Sequence, residues 1–358
     1  MKYQLNIDLK DRYSNLASSK ALVDCEAILR EKDYKSVHFD FDRDSRRKLL
    51  SLLRLTAQLT SWVMSVKQNS LVLVQYPLIG VNRFFEVFIK VLKFKNCTVA
   101  ALIHDIDSLR YHTTEDKVLK EIKWLNAYDE LISHNGPMSK WLKSKGALSE
   151  IKDLTLFDYL FDHDNKVERS QAFIQNKYQV VYAGNLNRGK FIDKLSQVAG
   201  ISFILYGPAA SPATFEGQSN VTWKGIFSSE DIVAKLEGTF GLIWDGDSIT
   251  SCEGLYGDYI RYNNPHKCSL YFAAGLPVIV PRKAAVWSFV ENNKLGIGID
   301  DLSEVPSQIH QISREEYSAM LSNVALVRKR LKAGQFLAAA VDSIEFERGL
   351  LKSKIQLN

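Results

Sequence analysis

The stretch Tyr262-Asn263-Asn264-Pro265-His266-Lys267 runs into apolar Cys268-Ser269-Leu270-Tyr271-Phe272-Ala273-Ala274-Gly275 and then Leu276-Pro277-Val278-Ile279-Val280. That order reads as loop, short helix, buried strand. Asn264 suits a helix cap, and Pro265 suits the first turn, where a missing N–H costs nothing. Lys267 then falls beside unpaired backbone N–H groups and the positive end of the helix dipole, a place that attracts phosphates. A plain capped helix would account for Asn264 and Pro265 without any ligand.

The same strand–helix rhythm extends in both directions from this stretch. Candidate strands at 178–182, 201–206, 221–224, 240–244 and 277–280 alternate with helical patterns at 190–199, 229–236, 266–274, 284–292 and 314–332. Upstream, apolar runs at 3–9, 36–41, 71–76, 97–104 and 130–133 alternate with helical patterns at 18–31, 45–67, 82–93, 114–126 and 137–145. Buried strands alternating with helices predict parallel, doubly wound α/β sheets. The polar run Phe161-Asp162-His163-Asp164-Asn165-Lys166 reads as the start of a linker. The expected division is therefore 1–165, 166–334 and a last helical segment, 335–358, after Gly334. Ligands of such sheets bind at the carboxyl ends of the strands, so a cleft facing both domains is expected.

Composition excludes several classes. The chain has 358 residues, 46% hydrophobic and 24% charged, which suits two globular domains with their own cores. A net charge of +5 shared between the halves lacks the concentrated basic face of a nucleic-acid protein. Cys25, Cys97, Cys252 and Cys268 have no metal-ligand spacing and read as reduced thiols. The first residues have no apolar signal core, and no run of roughly eighteen apolar residues could span a bilayer. A cytoplasmic protein is expected. The basic, leucine-rich 43–67 segment, with Arg43, Arg46, Arg47 and Arg54, is a candidate for peripheral contact with the inner face of the membrane. An ordinary solvated face is the competing reading.

Several turn-rich segments follow strands, where the fold places ligands. Gly184-Asn185 leads to Arg188, Gly189 and Lys190, whose cations could pair with a diphosphate. This turn lacks the spacing of a P-loop or a dinucleotide fingerprint. Asp245-Gly246-Asp247 and Asp105-Ile106-Asp107 each place two carboxylates two residues apart, which invites a metal reading. Paired acids in loops commonly cap helices or form turns, so no metal is expected. His104, Asp105 and Asp107 end a strand beside Arg110, and a carboxylate or the imidazole there could act as general base. The bland alternative pairs Asp107 with Arg110. Ser18 and Ser19 open a helix after the first strand, and Gln75-Tyr76-Pro77 ends the third.

Together, Leu102–Arg110, Tyr182–Leu186, Leu205–Pro208, Trp244–Ser248 and Arg261–Lys267 with Ala273–Ile279 resemble one group of proteins. These are the bacterial glycosyltransferases of two-Rossmann GT-B architecture that include β-1,6-galactofuranosyltransferases of surface polysaccharides and glucosyltransferases that extend glycans on adhesins. The resemblance covers most of the chain. It implies a UDP-sugar donor held by the C-terminal domain, with Arg188, Asn264 and Lys267 on the diphosphate and ribose side. Asn263, Gly184 and Asp247 would lie beside them, with Ser18 and Ser19 approaching the donor sugar. The acceptor glycan, free or lipid-linked, would enter beside Gln75, Tyr76 and Asp105. The last helix would cross back to the first domain. An aromatic hydroxyl common in the group is absent at Phe227, which removes one donor hydrogen bond of order 1 kcal/mol. The implied function is transfer of a hexosyl unit, best matched by galactofuranose, without a bound cofactor. The alternatives are a UDP-glucose-dependent transferase acting on a protein-linked sugar, or a non-catalytic nucleotide-sugar-binding subunit. A homo-oligomer is compatible with either.

Overall fold

A computed structural model of the chain describes residues 1–9, 18–42, 47–78, 80–175, 178–209, 215 and 217–351, with the backbone alone for Leu9, Ser18 and Ser19. It divides into two units, Met1–Leu154 with Phe336–Asn358, and Thr155–Gln335.

The first unit is built on six strands: β1 (Lys2–Leu9), β2 (Lys35–Phe41), β3 (Leu71–Tyr76), β4 (Thr98–Ile103), β5 (Glu130–Ser133) and β6 (Glu150–Asp153). They pair in the order β2-β1-β3-β4-β5-β6, all parallel. Every residue of β3 is buried, as a central parallel strand covered on both faces requires. The chain leaves β1 for β2 on one side and returns as β3 on the other, so the winding reverses between β1 and β3. At such a reversal the loops diverge and leave a crevice at the carboxyl ends.

The second unit has β7 (Gln179–Ala183), β8 (Ser202–Tyr206), β9 (Val221–Trp223), β10 (Phe240–Leu242), β11 (Val278–Pro281) and β12 (Gly296–Ile299). Their order, β12-β11-β10-β7-β8-β9, is also wholly parallel. It is the doubly wound order of dinucleotide-binding sheets, with the reversal between β7 and β10. Its core joins Val180, Phe203, Phe240, Leu242, Trp244 and Ile279, with Phe173 stacked on Tyr317 at 4.1 Å.

Four expectations are corrected. The boundary falls at 154/155, not 165/166, because residues 155–165 bond to the second unit. Ser269 Oγ donates to the Phe157 carbonyl, Tyr159 Oη to Ser229, and Asn165 Nδ2 to Val233 and Leu236. The segment expected as a helix at 190–199 is a 3-10 turn, Ile192–Gln197, and the one at 229–236 shrinks to Ile232–Lys235. The basic helix runs Lys48–Ser65, while Arg43 and Arg46 lie outside the described residues. The last helix, Gln335–Glu347, packs on the first unit. There Glu345 meets Lys2 at 3.2 Å and accepts from Tyr34 Oη at 2.9 Å, and Asp342 meets Lys32 at 2.5 Å.

Candidate active site

In the second unit the reversal of the sheet is held open by one tyrosine. β7 and β10 pair only at Phe240↔Val180 and Gly241↔Val181, then separate. Tyr271, buried in the helix His266–Ala273, spans the gap: its hydroxyl accepts from Ala183 N–H at 2.8 Å and donates to the Leu242 carbonyl at 3.1 Å. Both are backbone groups that the parted strands would otherwise leave unpaired. Gly241 makes room for the ring, since a Cβ there would lie 2.3 Å from it.

Lys267 lies one helical turn before Tyr271 and so points into the mouth of the same opening. Its ammonium donates to Tyr182 Oη at 3.0 Å and the Trp244 carbonyl at 3.2 Å, and faces Asp245 at 3.5 Å. It also lies 4.4 Å from the centre of the Tyr182 ring. The side chain is 16% exposed. Burial alone would lower its pKa, but the Asp245 charge and the surrounding tyrosines more than offset this and raise it. The lysine is thus a fixed positive charge where the C-terminal ends of β7 and β10 diverge.

Asp245 is tied to the loop that follows it. Its N–H donates to Cys252 Sγ at 3.3 Å, and the thiol donates back to its carbonyl at 2.9 Å. Burial pushes the Cys252 thiol up to about 12, so it stays protonated. Cys252 also lines a cavity of about 340 Å³ with Thr250, Ser251, Glu253, Pro281 and Lys283. Pro281 and Asp300 place that cavity at the carboxyl ends of β11 and β12, and Cys252 links it to Asp245. Gly207 packs against the turn that follows β7: a Cβ there would come 1.9 Å from the Gly184 carbonyl oxygen, so no larger residue fits.

The remaining expected donor residues are placed as follows. The helix begins at His266, with Pro265 at the cap position and no side-chain cap, so Asn264 is not the cap. Asn264 is buried, and the Oδ1 of Asn263 is buried without a hydrogen-bond partner. The Arg188 guanidinium sits over the Tyr256 ring at 5.2 Å. Asp247 is exposed and faces Lys190 at 3.7 Å, a surface pair of little energetic weight. The side chains of Ser18 and Ser19 lie outside the described residues, as does most of the loop before them.

In the first unit, β3 and β4 carry the other cluster. Gln75 Nε2 donates to the Leu22 carbonyl at 3.3 Å, which turns its Oε1 toward His104 Nε2 at 2.8 Å. The imidazole therefore carries its proton on Nε2, leaving Nδ1 as the accepting atom. Asp105 is paired with Arg110. Buried Glu121 accepts from the backbone of Asp107 at 3.3 Å and Ser108 at 2.7 Å, so it satisfies the first turn of the helix Asp107–Arg110. Tyr76 is buried and donates to Glu121 at 2.9 Å, which turns it into the core and away from any acceptor. Sequence reasoning missed Tyr182, Tyr271, Cys252 and Glu121. Only Tyr271 carried a signal, its four-residue spacing from Lys267. Among the described residues no cluster of His, Cys, Asp or Glu is placed to hold a metal ion.

Parallel sheets wound in this way, two to a chain, form the GT-B fold, and solved structures of that class align along the whole chain. Anabaena HepE, solved in complex with UDP, covers 97% of this chain and 100% of its own at TM-score 0.61 and 13% identity. An α-glucosyltransferase solved with UDP and a 13-mer DNA covers 98% and 100% at TM-score 0.53 and 10% identity. Residues 7–156 match the N-terminal domain, and residues 180–344 the C-terminal domain, of the glucosyltransferase 3-like family. The chain belongs to that family and is a hexosyltransferase. It is 31% identical over 294 residues to the β-1,6-galactofuranosyltransferase WbbI of Escherichia coli K12, covering 81% of this chain and 83% of the relative. It is 24% identical over 340 residues to glucosyltransferase 3 of Streptococcus gordonii, covering 93% and 96%.

Proposed function

We propose that the enzyme transfers galactofuranose from its UDP-linked form to a hydroxyl of a growing cell-surface glycan. The observation that carries the choice of sugar is the 31% identity to the E. coli galactofuranosyltransferase. The nucleotide reading draws support from the second unit, where Lys267 sits at the sheet reversal facing Asp245, which Cys252 links to a neighbouring cavity. In the reaction the bond from the anomeric carbon to the phosphate oxygen breaks, and negative charge grows on departing UDP. A fixed ammonium and the backbone N–H groups at the start of the helix His266–Ala273 stabilise that charge. Arg188 and Asn263 complete the donor contacts.

The attacking hydroxyl forms the new bond to the anomeric carbon and loses its proton to a base. Asp105 is the base assigned, with inversion at the sugar as the simplest outcome. Its carboxylate is held by Arg110, and Nδ1 of His104 is the neighbouring alternative. No resident metal is required in this reading: Asp245 already faces an ammonium, and Asp105 a guanidinium, so neither carboxylate is available as a hard anionic ligand.

Glucosyl transfer to a protein-linked sugar is the second reading, favoured by the fuller coverage of the S. gordonii relative. Incubating the enzyme with an oligosaccharide acceptor and UDP-galactofuranose, UDP-galactopyranose or UDP-glucose, and measuring free UDP, separates the two. Fastest release is expected from UDP-galactofuranose, unchanged by EDTA. Preference for UDP-glucose would establish the second reading. No release from any donor would leave a nucleotide-sugar-binding subunit and overturn both.

A further inference from the structure

The helix Lys48–Ser65 has two apolar stripes. Leu55, Leu59 and Val63 are buried, and Trp62 packs edge-on against Tyr3 and Phe39, each at 6.0 Å. These side chains cover the sheet and explain why the helix is there. Leu49, Leu53 and Met64, at 72%, 60% and 70% exposure, lie roughly a third of a turn away and are left uncovered by the described residues. Leu50 extends this second stripe. The neighbouring helix, Asn82–Phe94, repeats the arrangement. Phe85, Phe88, Ile89 and Leu92 are buried, while Val87, Val91 and Phe94 are exposed, Phe94 at 90%. The two helices are fastened at one end, because Lys95 Nζ donates to the carbonyls of Val63 and Met64 at 2.9 Å each. Met64 and Phe94 therefore share that end. Contiguous exposed apolar side chains on a folded surface mark something that covers them.

Charge identifies the occupant. The helix Lys48–Ser65 carries no acidic residue, and Arg47, Lys48 and Arg54 are exposed along it. The second helix adds Arg83 and Lys90, with a single acid, Glu86, already paired to Lys90 at 2.9 Å. An apolar strip rimmed by cations, on a helix face that no described element covers, complements an anionic bilayer: acyl chains meet the leucines and headgroups meet the arginines. A second copy of this chain would bring the same cations against each other. No helix among the described residues is long and apolar enough to cross a membrane, so the contact lies along the surface.

We infer that this two-helix face docks the enzyme on an anionic lipid surface. Asp42 N–H donates to Ser51 Oγ at 2.8 Å, which ties the exit of β2 to the start of the helix. The leucine-rich end thus lies at the carboxyl edge of the first sheet, the edge that also carries His104 and Asp105. Only three strand spacings, about 15 Å, separate β2 from β4. Docking there brings the base to the membrane interface, and the acceptor class that follows is a lipid-linked saccharide. This last step rests on the transferase reading; the docking itself does not.

Sedimentation of the full chain with vesicles tests it. The protein should pellet with mixed phosphatidylcholine–phosphatidylglycerol vesicles, far less with phosphatidylcholine alone, and less as salt rises. Arg47→Glu with Arg54→Glu should weaken pelleting by at least about fivefold per charge removed. Leu53→Ser with Phe94→Ser should weaken it at least about tenfold with an unchanged Tm, because neither side chain is packed. Failure to pellet with anionic vesicles, or equal pelleting of the serine variant, would overturn the proposal. So would light scattering that shows a dimer dissolved by the same serine variant. The shift of Tm by UDP, read on the same samples, reports the donor reading separately.

Discussion

Lys267 shows how much a single position depends on its surroundings. In a free helix it would be a mobile surface cation. Here Tyr182, Trp244 and Asp245 fix it, so no rotamer entropy remains to be lost when a diphosphate arrives. Replacing it by Met should weaken UDP binding by about 1.5–3 kcal/mol, the worth of a hydrogen bond to a charged group, and calorimetric titration would measure this. Asp105→Asn should behave in the opposite way, with UDP affinity intact and turnover lowered about 10²–10⁴-fold. Equal turnover in that variant would move the base to His104. His134 makes a different kind of prediction. It is buried against the backbone of Ile103 and His104, and desolvation depresses its pKa to about 4. Above pH 6.5 the ring is neutral whether folded or not. Between 6.5 and 4 the unfolded chain takes up the proton and the folded one does not, so stability falls as pH falls, by up to about 3 kcal/mol. Denaturant midpoints measured across that range should fall in the wild type and stay flatter in His134→Asn.

The elements show why parts of this fold were readable and parts were not. β3, Leu-Val-Leu-Val-Gln-Tyr, is buried throughout, and its apolar run alone fixed its bounds. β6, Glu-Ile-Lys-Asp, is an edge strand with no buried residue, so no apolar run marked it as a strand. β12, Gly-Ile-Gly-Ile, was not among the candidate strands, because glycines weaken a strand pattern; here they answer to neighbours, not to flexibility. A Cβ on Gly296 would lie 1.9 Å from the Val278 oxygen, and one on Gly298 would lie 2.8 Å from the Trp287 ring. The site was legible in the same uneven way. His104, Asp105 and Lys267 stood at strand ends or a helix start, where local rules apply. Tyr182, Cys252 and Glu121 act through partners far away in sequence, and no local pattern marks them. Tyr271 tests the element-scale claim that β7 and β10 are held apart by one hydroxyl. Tyr271→Phe leaves the Ala183 N–H and Leu242 carbonyl unpaired and should cost about 1–3 kcal/mol, with the ring's packing retained. Tyr271→Phe should also blunt the UDP-induced Tm shift, because the backbone groups it fixes at the crevice mouth are released. A variant as stable as the wild type would mean that the strands diverge for some other reason.

At the scale of the molecule, the chain builds its second unit as an insertion within its first. The last helix, Gln335–Glu347, returns to the sheet that residues 1–154 form. The helix is held there by more than proximity. Phe336, Leu337, Val341 and Ile344 are buried, and Glu345 and Asp342 neutralise Lys2 and Lys32 from the start of the chain. Four large apolar side chains removed from water contribute about 6–12 kcal/mol, comparable to the whole stability of an ordinary domain of about 5–15 kcal/mol. A chain ending at Gly334 should therefore lose the first unit altogether. The second unit has its own core around Phe240 and Trp244 and should keep its own transition. Scanning calorimetry of the shortened protein is expected to show one transition where the full chain shows two, and UDP should still raise the one that remains. If truncation merely lowers a single shared transition, the two units unfold as one. The donor would then bind a cooperative whole, and the lysine at the reversal of the second sheet could not be credited with holding it independently.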